Sequence, residues 1–280
     1  MRSKVPCSLK GDELKMNRKD YTEANRKAWN EVNSKHQKAK QERGKFEKFN
    51  QEGYSTLDER ITEVLHAVGI KGKAVAQVCC NDGEETISLK NLGAKSATGF
   101  DLSDEAIKSA KELSQRSGVS CEFVQTDIYE IPEHYHSSFE LVYISVGSLM
   151  WFPDISTFFK VVSNLLKIDG TVIIYDMHPF SLMLDENNKQ HPYEIKYSYF
   201  TDEPKVFTDG LDYIGSSEYE ASPIYNFDPT FSQILNGLIQ NRLTIDHVDE
   251  FPHDMSAMFE HLDNKELKIP LSMLIVAKKN

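Results

Sequence analysis

The residues best suited to hold a polar ligand lie in Ala74 to Leu89, AVAQVCCNDGEETISL, and in the acid that follows, Asp101. The stretch reads as a short apolar run, a tight turn at Gly83 and a helix start. Backbone N–H groups in such a turn, with the positive end of the following helix, hold polar groups without any side chain. Glu84 and Glu85 put acid in the first helical turn, which suits that end of the dipole. Eighteen residues after Gly83, the run Ser96 to Phe100 ends in Asp101. A carboxylate at the end of a second strand accepts hydrogen bonds from two ribose hydroxyls, so the chemistry indicated is recognition of a ribose-bearing ligand.

A sheet must bring these residues together, and the flanking chain supplies one. Val75 and Val78 read as a buried strand. Before it, Ser55-Thr56-Leu57-Asp58 fits a capping box, Leu57, Ile61, Val64, Leu65 and Val68 share a helical face, and Gly69 suits the stop. The helix from Glu84 ends near Gly93, and Ala97 to Asp101 is the second strand. Ser103 with Asp104 and Glu105 caps a helix carrying Ile107, Ala110 and Leu113. Cys121 to Gln125 and Phe139 to Val146 are strands three and four. Pro153-Asp154 starts another helix, and Asp169-Gly170 turns into strand five, Thr171 to Asp176. Regular strand–helix alternation predicts an α/β fold, a doubly wound and mainly parallel sheet with right-handed crossovers.

Outside this core the pattern changes. Residues 1–16 lack periodicity and are expected to be a mobile tail. Residues 17–54 are polar, with Trp29, Val32 and His36 at i, i+3, i+7 on one face. That narrow stripe belongs either to a lid docked on a ligand or to a helix packed on the sheet edge. Residues 180–227 hold ten aromatics in 48 positions, with alternation at Glu194 to Phe200 and an Asp209-Gly210 turn, which predicts short antiparallel strands. This insertion is read as a substrate cap, with a dimerisation surface, and hence a homodimer, as the competing reading. Asp228-Pro229 opens a last helix, followed by strands at Leu243 to Phe251 and Leu271 to Lys278.

These residues resemble the class I S-adenosylmethionine-dependent methyltransferases. Four landmarks carry the resemblance: QVCCNDG at 77–83, GFDLS at 99–103, VQTDIYEI at 124–131 and FELVYISVGSL at 139–149. The match runs from about Thr56 to Ile174 and more loosely to the C-terminus. The family pattern acidic-x-Gly-x-Gly-x-Gly falls on Gln77, Cys79, Asn81 and Gly83, so only the last glycine stands. Asn visits left-handed backbone readily, and Cys is small enough for close approach. The chain is also similar to a small-molecule subgroup, type 11/12-like, with a Cys-rich first turn and His-Pro-Phe after strand five, here His178-Pro179-Phe180.

The resemblance implies a Rossmann-like sheet ending in an antiparallel hairpin, with a methyltransferase domain at 55–280 that includes the cap. It also implies S-adenosylmethionine as cofactor. Asp101, with Leu102 beside it, would hold the ribose, and backbone around Cys79 to Gly83 the methionine portion. Asn81 and Asp82 are placed for the amino-acid end. Thr126, Asp127 and Ile128 would meet the adenine, and Ser145 lies near the sulfonium. In the family an N-terminal helix closes over the cofactor, which brings in Trp29 and His36. His178 is the base candidate if the acceptor needs one; its plainer role is a hydrogen-bonding loop histidine. A non-catalytic sensor of the cofactor or its demethylated product is the alternative function. A nicotinamide dehydrogenase is disfavoured by the missing GxGxxG turn.

Composition bounds the rest. The 280 residues carry a net charge of −11, yet residues 1–48 hold 14 Lys or Arg against 7 Asp or Glu. So acidic a body repels phosphate backbones, which disfavours a nucleic-acid acceptor, and the basic arm reads first as a solvated helix face. No apolar run is long enough to cross a bilayer, and the first fifteen residues lack a signal-peptide core, so a cytoplasmic protein with no membrane role is expected. The four cysteines form neither a CxxC pair nor a zinc pattern, and no metal ligand set is evident.

Overall fold

The computed structural model describes residues 16–215 and 219–280. The expected tail therefore lies almost wholly outside the described residues. Seven strands form the main sheet: β1 (Ala74–Val78), β2 (Ser96–Asp101), β3 (Glu122–Gln125), β4 (Phe139–Ser145), β5 (Leu166–Met177), and two later ones, Leu243–Phe251 and Ser272–Lys279. A separate pair, β6 (Lys205–Phe207) and β7 (Ile224–Asn226), lies in the insertion, so the late strands are β8 and β9. The order is β3-β2-β1-β4-β5-β9-β8, parallel through β5 and antiparallel at β5–β9 and β9–β8. The order reverses direction beside β1 and β4, where an open α/β sheet leaves a crevice at its carboxyl edge.

Alternation along each strand feeds two faces. Val75, Leu141, Tyr143 and Ile173 face a layer that includes α3 (Glu59–Ala67), while Ala76, Val78, Val142 and Ile174 pack with α6 (Ile155–Leu165) and α7 (Phe231–Gln240). Burial on both faces is why these strands read as continuous apolar runs. A third cluster joins α4 (Glu84–Asn91), α5 (Asp104–Ser117) and Phe46 of the short α2 (Lys45–Lys48).

Several boundaries differ from expectation. Asp58, not Ser55, caps α3, accepting the Ile61 N–H at 2.9 Å, and the helix starts at Glu59; the acid nearest the first turn takes the cap. The last helix is capped by Thr230 in a capping box with Gln233, two residues after Asp228. Glu194 to Phe200 forms no strand; Ile195 makes a single bridge to Leu184, and the strands of the insertion fall at β6 and β7 instead. β5 begins five residues early, at Leu166, where it pairs with Phe139 before an irregularity in the ladder.

The polar N-terminal segment is one long helix, α1 (Arg18–Glu42), capped by a reciprocal Asn17–Asp20 box. Its stripe is wider than Trp29, Val32 and His36: Asn25, Ala28, Asn33, Ala39 and Lys40 are buried with Val32 and His36. Asn25 hydrogen-bonds both ways to the Tyr225 backbone at 2.9 Å, and Glu31 accepts from Ser222 N–H and hydroxyl, so α1 is fastened to the insertion. Its cations face acids of the body, Arg26 to Asp104 at 2.5 Å and Lys19 to Glu130 at 2.7 Å. Part of the basic arm is thus complementary to the acidic body.

Candidate active site

The turn after β1 carries the site. Cys79, Asn81 and Gly83 have φ of 58°, 48° and 78°. They are the three positions at which the family pattern places glycine, so the glycine-turn backbone survives although two glycines do not. Left-handed conformation costs a non-glycine residue roughly 1–2 kcal/mol, least for Asn, so neighbouring contacts must hold it. Gly83 remains glycine for a second reason. A Cβ there would lie 2.6 Å from the Phe123 ring and 2.8 Å from the Ala110 Cβ. Gly99 is similarly required, since its Cβ would meet the Cys80 Sγ at 2.7 Å.

Asp101, at the end of β2, accepts the Asn81 N–H at 2.8 Å through one carboxylate oxygen and the Ser103 N–H at 2.9 Å through the other. Burial raises its pKa to about 6 despite those donors. One strand further, the Thr126 N–H donates to the Asp101 carbonyl at 2.8 Å, and Asp127 accepts the Tyr129 N–H at 2.9 Å. Asp101 and Asp127 thus stand at neighbouring strand ends, β2 pairing Asp101 with Gln125 of β3. Leu102 is half-buried, its carbonyl accepting from Gln125, while Ile128 is buried in the main core.

Other expected residues are engaged elsewhere. The Asp82 carboxylate is buried and accepts from Lys40 Nζ at 2.5 Å and Gln37 Nε2 at 2.9 Å, both on α1, so it ties the helix to the turn. Ser145 is buried, and its hydroxyl donates to Glu85, which also accepts from Gln77 Nε2 at 2.7 Å. Thr86 completes the set by donating to Gln77 Oε1 at 2.6 Å. Burial raises the Glu85 pKa to about 7. His178 is 5 % exposed; its Nδ1 accepts the Phe180 N–H at 3.1 Å and its Nε2 lies 2.9 Å from Glu250 Oε1. Both ring nitrogens therefore have protein neighbours.

On α1, Trp29 packs edge-on against Trp151, just past β4, with ring centroids 5.4 Å apart. His36 donates from Nε2 to the Leu211 carbonyl at 3.0 Å and meets Tyr213 at 4.7 Å. Trp29 and His36 thus tie α1 to the β4 end and to the insertion.

Three residues escaped the sequence reading. Lys40 continues the Trp29–Val32–His36 face by one more turn, a spacing signal that was present. Gln37 has no such signal. Asp176, an acid closing an apolar strand, is 2 % exposed. It accepts N–H groups of Gly147 (2.5 Å), Ser148 (3.1 Å), Leu149 (3.0 Å) and Met177 (2.7 Å), fixing the loop after β4. Beside it lies a small apolar cleft lined by Leu149, Met150, Met177, Pro179, Leu182 and Ile234.

Comparison with known proteins agrees with this geometry. A family profile described as a methyltransferase domain matches residues 75–170. The ribosomal RNA large subunit methyltransferase K/L of Shewanella frigidimarina is 35 % identical over 92 residues, 31 % of this chain and 13 % of its own length. The chain thus spans only a small part of that relative. Among solved structures, an S-adenosylmethionine-dependent methyltransferase from Mesorhizobium loti shares the fold with a TM-score of 0.58 at 22 % identity, covering 78 % of this chain and 96 % of that one. The geranyl diphosphate C-methyltransferase of Streptomyces coelicolor has a TM-score of 0.55 at 12 % identity, covering 79 % of each. With its glycine-turn backbone, its acid at the end of β2 and its antiparallel β8–β9 pair, the chain shares the fold of these S-adenosylmethionine-dependent methyltransferases and carries a methyltransferase-domain match over residues 75–170.

Proposed function

We propose that the chain moves the methyl group of S-adenosylmethionine to a small-molecule acceptor held between the ends of β4 and β5 and the 180–227 insertion, which serves as substrate cap. The observation carrying this reading is the alignment on one sheet edge of the left-handed turn 79–83, Asp101 and Asp127, at three adjacent strand ends. The donor set fits the cofactor: a carboxylate for vicinal hydroxyls, turn N–H groups for a carboxylate, and an acid with Ile128 for a purine amine and ring.

When bound, S-adenosylmethionine supplies an electrophilic methyl on a sulfonium. The chain's own task is to orient and to exclude water. Asp101 is already fixed by two backbone N–H groups, so it meets ribose hydroxyls without rearranging. Trp29 and His36 on α1 close the upper side as a lid, in the segment 17–54. The geometry of His178 favours an acceptor that needs no base there, such as a thiolate or tertiary amine.

Three observations support a small acceptor over a macromolecule. The body is acidic, cations of α1 are paired with it, and the resemblance to the ribosomal RNA enzyme spans only 92 residues. Among the described residues no helix is long and apolar enough to cross a membrane. Cys79, Cys80 and Cys121 are free thiols, which suits the reducing cytoplasm. Single-turnover assays with thiol, amine and hydroxyl acceptors test the reading. Formation of demethylated cofactor supports it, whereas a chain that binds but never turns over with any acceptor is the sensor, whose support is the altered glycine turn.

A further inference from the structure

We propose that Lys40 of α1 is a positioning residue for the cofactor turn, acting through Asp82; this rests on the reading above that the turn binds S-adenosylmethionine. Asp82 sits between left-handed Asn81 and left-handed Gly83. Its carboxylate is gripped by Lys40 at 2.5 Å and Gln37 at 2.9 Å. Lys40 Nζ also lies 3.2 Å from Glu84 Oε1, in the first turn of α4. The side chains of Lys40, Asp82 and Glu84 are 9 %, 7 % and 9 % exposed, so these charges meet out of water.

The electrostatics explain why a lysine stands there. Asp82 and Glu84 flank Gly83 with two buried like charges, whose repulsion would turn Asp82 outward and draw Asn81 and Gly83 from their left-handed conformations. The Lys40 ammonium lies between the two carboxylates and removes that repulsion. Packing of α1 alone does not call for it, since Ala28, Val32 and Ala39 already supply the apolar contact and a buried lysine carries a desolvation cost that an apolar residue avoids. Lys45 is different: it is 38 % exposed and reaches Glu84 Oε2 at 2.6 Å from α2. Docking of α1 and setting of the turn are consequently one event, with the residue that shapes the cofactor site lying about forty residues before it.

The test is calorimetric titration of the full chain with S-adenosylmethionine and S-adenosylhomocysteine, alongside thermal denaturation without ligand. Lys40→Met weakens both ligands about tenfold, and Lys40→Arg restores affinity to within about threefold. Gln37→Ala leaves every charge paired, so it folds, and weakens binding about threefold. Lys45→Met lowers thermal stability but leaves affinity unchanged. Wild-type affinity in Lys40→Met and Gln37→Ala overturns the proposal, as does an equal loss in Lys45→Met; should Lys40→Met fail to fold, Gln37→Ala decides. Failure of the wild-type chain to bind is a different pattern and overturns the functional reading itself.

Discussion

Asp101 holds the N–H of Asn81 at 2.8 Å, so the acid that ends β2 also fixes the middle of the turn that follows β1. In the proposed function one carboxylate therefore both shapes the turn backbone and meets the ribose. The two strands are adjacent in register, Val78 beside Phe100, which brings turn and acid together.

This double role predicts a pH dependence. Burial raises the Asp101 pKa to about 6, so the group takes up a proton as pH falls through that value and loses acceptor capacity toward ribose hydroxyls. Cofactor affinity is expected to fall as pH drops from about 7 to about 5. The stability linked to this group runs the other way: a raised carboxyl pKa favours the folded state below the unfolded value and that gain is lost as pH rises through about 6. Titrations at several pH values check the first trend, and in Asp101→Asn the pH step disappears.

The backbone of the turn makes a second prediction. Asn81→Gly relieves a left-handed residue and leaves stability equal or higher by up to about 1 kcal/mol, whereas Asn81→Val costs about 1–2 kcal/mol. Gly83→Ala combines a φ of 78° with contacts of 2.6 Å to Phe123 and costs about 3 kcal/mol or more. Urea denaturation of the three variants gives the ordering; an Asn81→Val protein as stable as wild type contradicts it.

How much of this was legible follows from what each feature rests on. Strands β1 to β5 were readable because burial on both faces makes continuous apolar runs, and Asp101 because it ends one of them. The left-handed turn was obscured by Cys79 and Asn81 standing in place of glycine, and the Asn81 N–H is held by Asp101 from the next strand end. Asp82 and Ser145 read as ligand contacts, and their side chains pair with Lys40 of α1 and Glu85 in the first turn of α4. Sequence spacing does not encode such long-range pairs. The insertion was hardest: its alternating stretch Glu194 to Phe200 found no partner strand, while β6 and β7 are only three residues each.

A third prediction concerns His178. With Nδ1 bonded to Phe180 and Nε2 beside Glu250, its replacement by Asn is expected to keep methyl transfer within about threefold. A loss of about a hundredfold or more with cofactor affinity intact shows instead that the ring acts as base.

Asp176 gives a fourth. Its carboxylate accepts four backbone N–H groups, three of them from 147–149, so Asp176→Ala leaves buried donors bare and costs about 2–4 kcal/mol. Because that loop follows β4, at whose end the acceptor is proposed to sit, the Michaelis constant for acceptor rises more than that for cofactor. An equal rise in both shows that the loop serves the sheet edge generally.

The central claim is that the edge formed by 79–83, Asp101 and Asp127 holds S-adenosylmethionine. Isothermal titration of wild type and Asp101→Ala with this cofactor tests it most directly. The account predicts one site per chain in the wild type and at least a hundredfold weaker binding, roughly 2.7 kcal/mol, in the variant. A folded wild-type chain that takes up no cofactor, or an Asp101→Ala chain that binds it equally well, contradicts the account.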